Sequence, residues 1–104
     1  VTKKQMLTPD ESQKFKVMLD DLVGTRGAYI IDQNLSILGK VPVTELTSTI
    51  KNLGTGVYTV ILDGKISDEL VKSAEKANIT YLISMETEVK AGTSKVNIVL
   101  GTEL

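Results

Sequence analysis

Histidine, cysteine and tryptophan are absent from this sequence of 104 residues, and its aromatic residues are one phenylalanine and three tyrosines. Without cysteine, the chain can form no disulfide, no thiolate metal site and no cysteine nucleophile. Without histidine, it lacks the most common general acid and base, the most common metal ligand and any Ser-His-Asp triad. Carboxylates acting with a divalent cation remain as catalytic chemistry. A chain without cysteine suits a reducing compartment, and we expect a cytoplasmic location.

Neither sign of charge dominates, because twelve Lys and Arg residues oppose thirteen Asp and Glu residues, for a net charge of -1. Such a balance gives no strong attraction to nucleic acids or to a membrane surface. The few aromatic side chains also offer little stacking for single-stranded bases. No apolar run approaches the roughly 18 residues of a membrane-spanning helix. We therefore predict neither direct nucleic-acid binding nor membrane association.

The length and the 41% share of hydrophobic residues predict a single folded domain over residues 1–104. Residues 1–7 have no clear period and are expected to be a frayed lead-in to the first helix. The sequence begins with Val1 rather than methionine, so we expect it to be part of a longer protein.

The pattern of apolar residues predicts three helices and five strands. Thr8 and Glu11 predict a capping box at the start of the first helix, and Gly24 predicts its end. The other predicted elements are strands at 28–31 and 35–38 around a turn at 32–34, a helix over 43–53, a strand at 57–62, a helix between Ser67 and Asn78, and strands at 79–83 and 96–100. The polar stretch 86–95 is predicted to be a loop with residues 91–94 at its tip.

The order α-β-β-α-β-α-β-β indicates an α/β fold with a mixed, mostly parallel sheet flanked by helices. The strands at 57–62 and 79–83 lack a polar face, which is typical of strands covered on both sides, so three-layer packing is expected. Residues 57–83 form a strand–helix–strand unit whose crossover should be right-handed.

Five features follow one another along the chain: Gly24-Thr25-Arg26-Gly27-Ala28, the predicted hairpin, Lys40-Val41-Pro42-Val43-Thr44-Glu45-Leu46, Val60-Ile61-Leu62-Asp63-Gly64 and Tyr81-Leu82-Ile83. In this order they resemble the C-terminal region of archaeal DnaG primase-like proteins. The resemblance covers roughly residues 8–104 and includes the ending Glu103-Leu104. It implies that the chain is the C-terminal α/β domain of such a protein.

The resemblance separates this chain from the primer-synthesis chemistry of the family. That chemistry is assigned to a central Toprim domain, in which a glutamate motif and an Asp-x-Asp pair hold magnesium. No Asp-x-Asp pair occurs here: Asp20 and Asp21 are adjacent, and Glu86-x-Glu88 lacks the accompanying acidic motif. We therefore assign no catalytic, cofactor-binding or metal-binding residue, and magnesium is expected only for the Toprim domain outside this sequence.

The family also joins the RNA-degrading exosome through a cap subunit, so the resemblance implies protein partners. Two features could make such contacts. Arg26 lies in a loop next to glycine, where its guanidinium can bind a carboxylate or a phosphate. If the final strand lies at a sheet edge, Val96, Ile98 and Leu100 could pair with another chain or form a homodimer. A strand paired inside its own sheet is the equally weighted alternative.

Asp63-Gly64-Lys65 supports a rival hypothesis, because it follows a strand where open α/β sheets bind ligands. An independent regulatory domain that binds a small ligand would use this crevice with magnesium or a phosphate. A plain turn is the favoured interpretation, since Asp-Gly is common between a strand and a helix. A catalytic domain that uses carboxylates and magnesium is the third and least favoured hypothesis.

Overall fold

The computed structural model describes residues 8–53, 56–89 and 96–101. In chain order the elements are α1 (Pro9–Leu22), β1 (Gly27–Ile31), β2 (Ile37–Pro42), a 3₁₀ turn (Val43–Glu45), α2 (Leu46–Leu53), β3 (Thr59–Leu62), β4 (Lys65–Ile66), α3 (Asp68–Lys76), β5 (Tyr81–Ser84), β6 (Glu86–Thr87) and β7 (Asn97–Leu100). The predictions for residues 1–7, for the loop tip at 91–94 and for the ending Glu103-Leu104 lie outside the described residues.

The main sheet has five strands in the order β2-β1-β3-β5-β7. Strand β1 is antiparallel to both of its neighbours, whereas β3, β5 and β7 are parallel to one another. A second sheet consists of the short parallel strands β4 and β6. The predicted class, an α/β fold with a mixed sheet, is therefore confirmed, and so is the unit that joins two parallel strands through α3.

Two apolar clusters lie on opposite faces of the main sheet, which confirms the predicted three layers. On one face Phe15, Leu19 and Leu22 of α1 pack against Ile61 of β3 and Ile83 of β5. On the other face α2 and α3 pack against the remaining strand residues. All four residues of β3 and of β5 are buried, as their continuous apolar runs predict. None of the described helices is long and apolar enough to cross a lipid bilayer.

Helix α1 begins with the predicted capping box. The Thr8 hydroxyl accepts a hydrogen bond from the Glu11 N–H at 3.1 Å, and the Glu11 carboxylate accepts one from the Thr8 N–H at 3.1 Å. Pro9 occupies the first helical position, where its missing N–H is not needed. These contacts satisfy backbone donors that the first helical turn leaves unpaired.

Replacing Thr8 by alanine should lower the free energy of unfolding by about 1 kcal/mol, because one cap acceptor is lost. Urea unfolding followed by circular dichroism measures this change. Thr49→Ala is the matched control, since the Thr49 hydroxyl donates to the Glu45 carbonyl within the 3₁₀ turn and α2 and caps nothing. An equal loss in both variants would contradict a capping role for Thr8.

Strand β2 corrects the prediction, which placed the second strand of the hairpin at 35–38. The turn is longer than three residues, because Asp32 Oδ1 accepts the N–H groups of Asn34 and Ser36 and Leu35 has a φ of +65°. The strand therefore starts at Ile37 and continues to Pro42. A proline fits there because β2 is an edge strand, whose outward positions need no ladder hydrogen bond.

Strands β4 and β6 are absent from the predicted elements. Each has two residues, and the pairing is Lys65 with Glu86 and Ile66 with Thr87. Residues 86–87 were predicted to lie in a loop, because a strand this short has no measurable period. The Glu88 N–H donates to the Ile66 carbonyl at 2.9 Å and extends this pairing by one bond.

Candidate functional site

The loop between α1 and β1 wraps around a carboxylate from a distant part of the chain. The N–H groups of Gly24 and Arg26 both donate to Oδ2 of Asp63, each at 2.9 Å. Gly24 and Arg26 have φ angles of +88° and +57°. Such alternating backbone conformations turn N–H groups towards one point and form an anion-binding concavity. Asp63 directly follows β3, so its carboxylate ties the loop to the centre of the sheet.

Further hydrogen bonds fix the rest of this loop. The Thr25 hydroxyl donates to the Leu22 carbonyl at 2.6 Å and accepts the Gly27 N–H at 3.1 Å. The Val43 N–H donates to the Arg26 carbonyl at 2.9 Å. The backbone of Arg26 is thus held on both sides, by Asp63 through its N–H and by Val43 through its C=O.

The left-handed conformation of Arg26 is unfavourable for a residue with a side chain. It costs about 1–2 kcal/mol for most residues, and glycine or asparagine adopt it more easily. The Arg26 side chain is exposed, and no hydrogen bond or ion pair of its guanidinium is found within the described residues. A planar guanidinium that extends from this held backbone into solvent can bind a carboxylate or a phosphate through two parallel N–H groups.

Asp63 was the residue that supported the hypothesis of a small-ligand site. One oxygen of its carboxylate, Oδ2, accepts two hydrogen bonds from the chain's own loop. Within the described ranges, no group of three acidic side chains lies close enough together to hold a metal ion. Asp63 lies 39 positions after Gly24 and 37 positions after Arg26 in the sequence. No local sequence pattern could therefore have predicted these two hydrogen bonds.

The carboxyl ends of the parallel strands are also tied to one another. The Ser84 hydroxyl at the end of β5 donates to the Gly64 carbonyl after β3. Open α/β sheets bind ligands where neighbouring connections leave towards opposite faces. Here α3, which precedes β5, packs in the same cluster as Val89 and Val96, which follow it. The described residues on either side of β5 therefore lie against one face of the sheet.

The final strand lies at one edge of the sheet, which was the condition for its predicted role in contacts. The side chains of Val96 and Ile98 are only 2% and 4% exposed, and Leu100 is half-buried. The side chains of Val96 and Ile98 are therefore not exposed for a contact at β7. Strands β3 and β5 separate β7 from β1, so the structure does not bring Arg26 together with β7. The role of both remains a prediction.

A polar cluster at the start of α1 was missed by the sequence patterns. The Tyr58 hydroxyl donates to Oε2 of Glu11 at 2.9 Å, and the rings of Tyr58 and Tyr81 meet edge to face with 5.5 Å between centroids. Burial, followed by the hydrogen bond to Glu11, raises the pKa of Tyr58, and burial also raises the pKa of Tyr81.

The buried Thr59 hydroxyl has no hydrogen-bond partner in the described part of the chain.

Alkaline pH should therefore destabilise the protein. A raised pKa in the folded state means that the unfolded state releases its phenolic proton first, above pH about 10, so the stabilisation is complete below that pH and is lost above it. We expect the free energy of unfolding to stay constant up to pH about 10 and to fall continuously as the pH rises above it. Urea titrations across this range measure it. Tyr58→Phe should show a smaller decrease, and an identical pH profile would exclude Tyr58 as a source.

Together these features define a class of protein: a three-layer α/β domain in which the loop between α1 and β1 is bonded to Asp63 after β3 and presents an exposed arginine to solvent. No protein-family model matches the chain.

The sequence is, however, similar to proteins named DNA primase DnaG. It is 35% identical over 78 residues to the protein of Methanobrevibacter smithii, which is 75% of this chain and 19% of that protein. It is 32% identical over 69 residues to the protein of Pyrobaculum arsenaticum, covering 66% of this chain and 17% of that protein. For Thermococcus gammatolerans the identity is 24% over 95 residues, or 91% of this chain and 19% of that protein. The resemblance to archaeal DnaG primases is thereby confirmed, and the chain spans less than a fifth of the length of these three relatives.

Proposed function

We propose that this chain is a non-catalytic interaction domain in the C-terminal region of a DnaG-type primase. The single observation that carries the proposal is Arg26, which is exposed, unpaired among the described residues and held by hydrogen bonds on both sides. The matched relatives are named DNA primases, and most of their length lies outside the matched region. The primase activity of these relatives can therefore belong to the part of their sequence outside the matched region.

The family resemblance suggests how such a domain would serve the whole protein. Primer synthesis would take place in a Toprim domain that holds magnesium elsewhere in the polypeptide, within the cytoplasm. The domain described here would help attach the protein to the exosome through its cap subunit. A partner carboxylate could accept two hydrogen bonds from Arg26, and little backbone entropy would be lost because hydrogen bonds already hold the backbone of the loop.

The test is co-elution of the chain with a purified archaeal exosome that carries its cap subunit. Size-exclusion chromatography with light scattering gives the mass of the complex. We expect a complex with the original chain and about tenfold weaker binding with Arg26→Asn, because a central arginine contributes about 1–2 kcal/mol to many interfaces. Asparagine tolerates the left-handed conformation, so the variant should fold normally.

Arg26→Lys is the matched control, since it keeps the positive charge and removes the planar pair of donors. Weak binding by both variants would indicate bidentate recognition, and normal binding by Arg26→Lys would indicate a charge effect. The proposal fails if the original chain elutes alone as a monomer.

Self-association is a second candidate function, favoured by the position of β7 at a sheet edge. The same light-scattering measurement gives the mass of the chain without partners. A mass of twice 11.3 kDa would support a homodimer, and a monomer at all concentrations would exclude it.

A further inference from the structure

The two faces of the main sheet are covered unequally. Two helices, α2 and α3, pack on one face, whereas α1 alone packs on the other and contacts β1, β3 and β5. Strand β2 shows the difference most clearly. Its residue Val41, together with Val43, packs against the cluster beneath α2, and the side chains on its opposite face are exposed.

A β-bulge places two large apolar side chains on this uncovered face. Ile30 pairs with Gly39 and Ile31 pairs with Ile37, so Leu38 is an extra residue in β2. Alternation from Gly39 directs Leu38 towards the side of α1, and its pairing with Ile31 directs Ile37 the same way. The side chain of Ile37 is 47% exposed and that of Leu38 is 53% exposed. We call Tyr29, Ile37, Leu38 and Lys40 the hairpin face.

Lys40 is the only charged residue of the hairpin face. Its Nζ lies 5.9 Å from the centroid of the Tyr29 ring. Its Cε lies 3.0 Å from the point where a Cβ on Gly27 would be, so the absence of a side chain at Gly27 makes room for the lysine stem. No ion pair of Lys40 is found in the part of the chain that the structure describes.

We propose that the hairpin face binds an amphipathic helix of a partner protein that carries a carboxylate opposite Lys40. This inference rests on the proposed interaction function and names the chemistry of the partner. A helix there would lie beside α1, as α2 and α3 lie side by side on the other face.

A helix suits this surface better than an added strand. Pro42 has no N–H to offer at the edge of β2, and the bulge at Leu38 interrupts the regular spacing of its backbone groups. Both features hinder pairing along the edge. The exposed side chains lie on the face of the sheet, where a helix would pack.

The charge of Lys40 determines the second property of the partner. Covering the hairpin face removes water from this ammonium group, and a buried charge without an opposite charge is costly. A carboxylate on the partner helix removes that cost. A second copy of the hairpin face could not supply it, because the face contains no acidic residue, so symmetric self-association through this surface is disfavoured.

The test uses a synthetic peptide of about 16 residues, with leucines at i, i+3, i+4 and i+7 and glutamates beside them. A peptide of the same composition with a scrambled order is the control. Amide chemical shifts of the isotope-labelled chain are recorded during titration with each peptide. We expect the largest changes at Tyr29, Ile37, Leu38 and Lys40 with the amphipathic peptide only.

Charge reversal sharpens the test. Lys40→Glu should weaken binding of the glutamate peptide about fivefold, the upper range for an exposed ion pair, and a peptide with lysines in place of glutamates should restore it. Equal shifts with the scrambled peptide, shifts centred on the α2–α3 cleft around Lys51 and Lys76, or no shifts would overturn the inference. Co-elution with the exosome is measured separately from peptide binding. The proposed function can therefore hold when the hairpin face does not bind the peptide, and the hairpin face can bind the peptide when the chain does not co-elute with the exosome.

Discussion

Replacing Gly101 by alanine should lower the free energy of unfolding by about 2 kcal/mol, the middle of the range for an overpacked core. A Cβ on Gly101 would collide with the sulfur of Met85 and lie 2.8 Å from Cδ2 of Leu19. Met85 is 48% exposed and can move away, but Leu19 is 1% exposed and is held between α1 and the sheet. The backbone just after β7 therefore lies directly against α1, with no room for a side chain. Urea unfolding of the Gly101→Ala variant measures the loss of stability.

Gly39→Ala is the matched control for this prediction. No atom lies within 4 Å of a Cβ built on Gly39, so the change should alter stability by less than about 0.5 kcal/mol. Adding Met85→Ala to the Gly101 variant should restore little stability, because Leu19 remains in place. A full recovery in that double variant would show that Met85, rather than the contact with α1, is the obstacle.

The second large effect is expected for Asp63→Ala, at about 2 kcal/mol of unfolding free energy, since two hydrogen bonds to a charged acceptor are lost. The N–H groups of Gly24 and Arg26 are exposed and can bind water instead, which keeps the loss moderate. Hydrogen exchange at these two amides should speed up in the variant. Asp63→Asn should lose less, because a single oxygen accepts both bonds and asparagine retains one.

Asp32→Ala provides a matched comparison, because Asp32 also accepts two backbone N–H groups through one oxygen. Its partners are two and four residues away, whereas those of Asp63 are 39 and 37 residues away. Asp32→Ala should leave exchange at Gly24 and Arg26 unchanged. If both variants affect those amides equally, the carboxylate of Asp63 does not hold the loop.

Local chemistry made much of the fold predictable. Thr8 and Glu11 marked the start of α1, Ser67 marked the start of α3, and Asn78 marked its end with a φ of +60°. The continuous apolar runs of β3 and β5 indicated burial on both faces, because a strand with one wet face alternates. Each of these signals depends on residues within a few positions of one another.

The features that were missed depend on residues distant in sequence or on irregular backbone. The length of the turn before β2 depends on the side chain of Asp32 and on a left-handed Leu35. The bond from Tyr58 to Glu11 joins residues 47 positions apart. Arg26 was identified as exposed from its loop position, but its strained conformation and its fixation by Asp63 and Val43 require the folded chain.

The order of the strands has a consequence for how the protein folds while it is being synthesised. From β1 onwards, β3, β5 and β7 are each added beside a strand that is already made, and the sheet grows in one direction along the chain. In the main sheet, each of the strands β2, β3, β5 and β7 has a neighbour that precedes it in the chain, whereas β4 pairs only with the later β6. Chains that extend in this way expose few unpaired strand edges during synthesis, which limits aggregation before the last strand emerges.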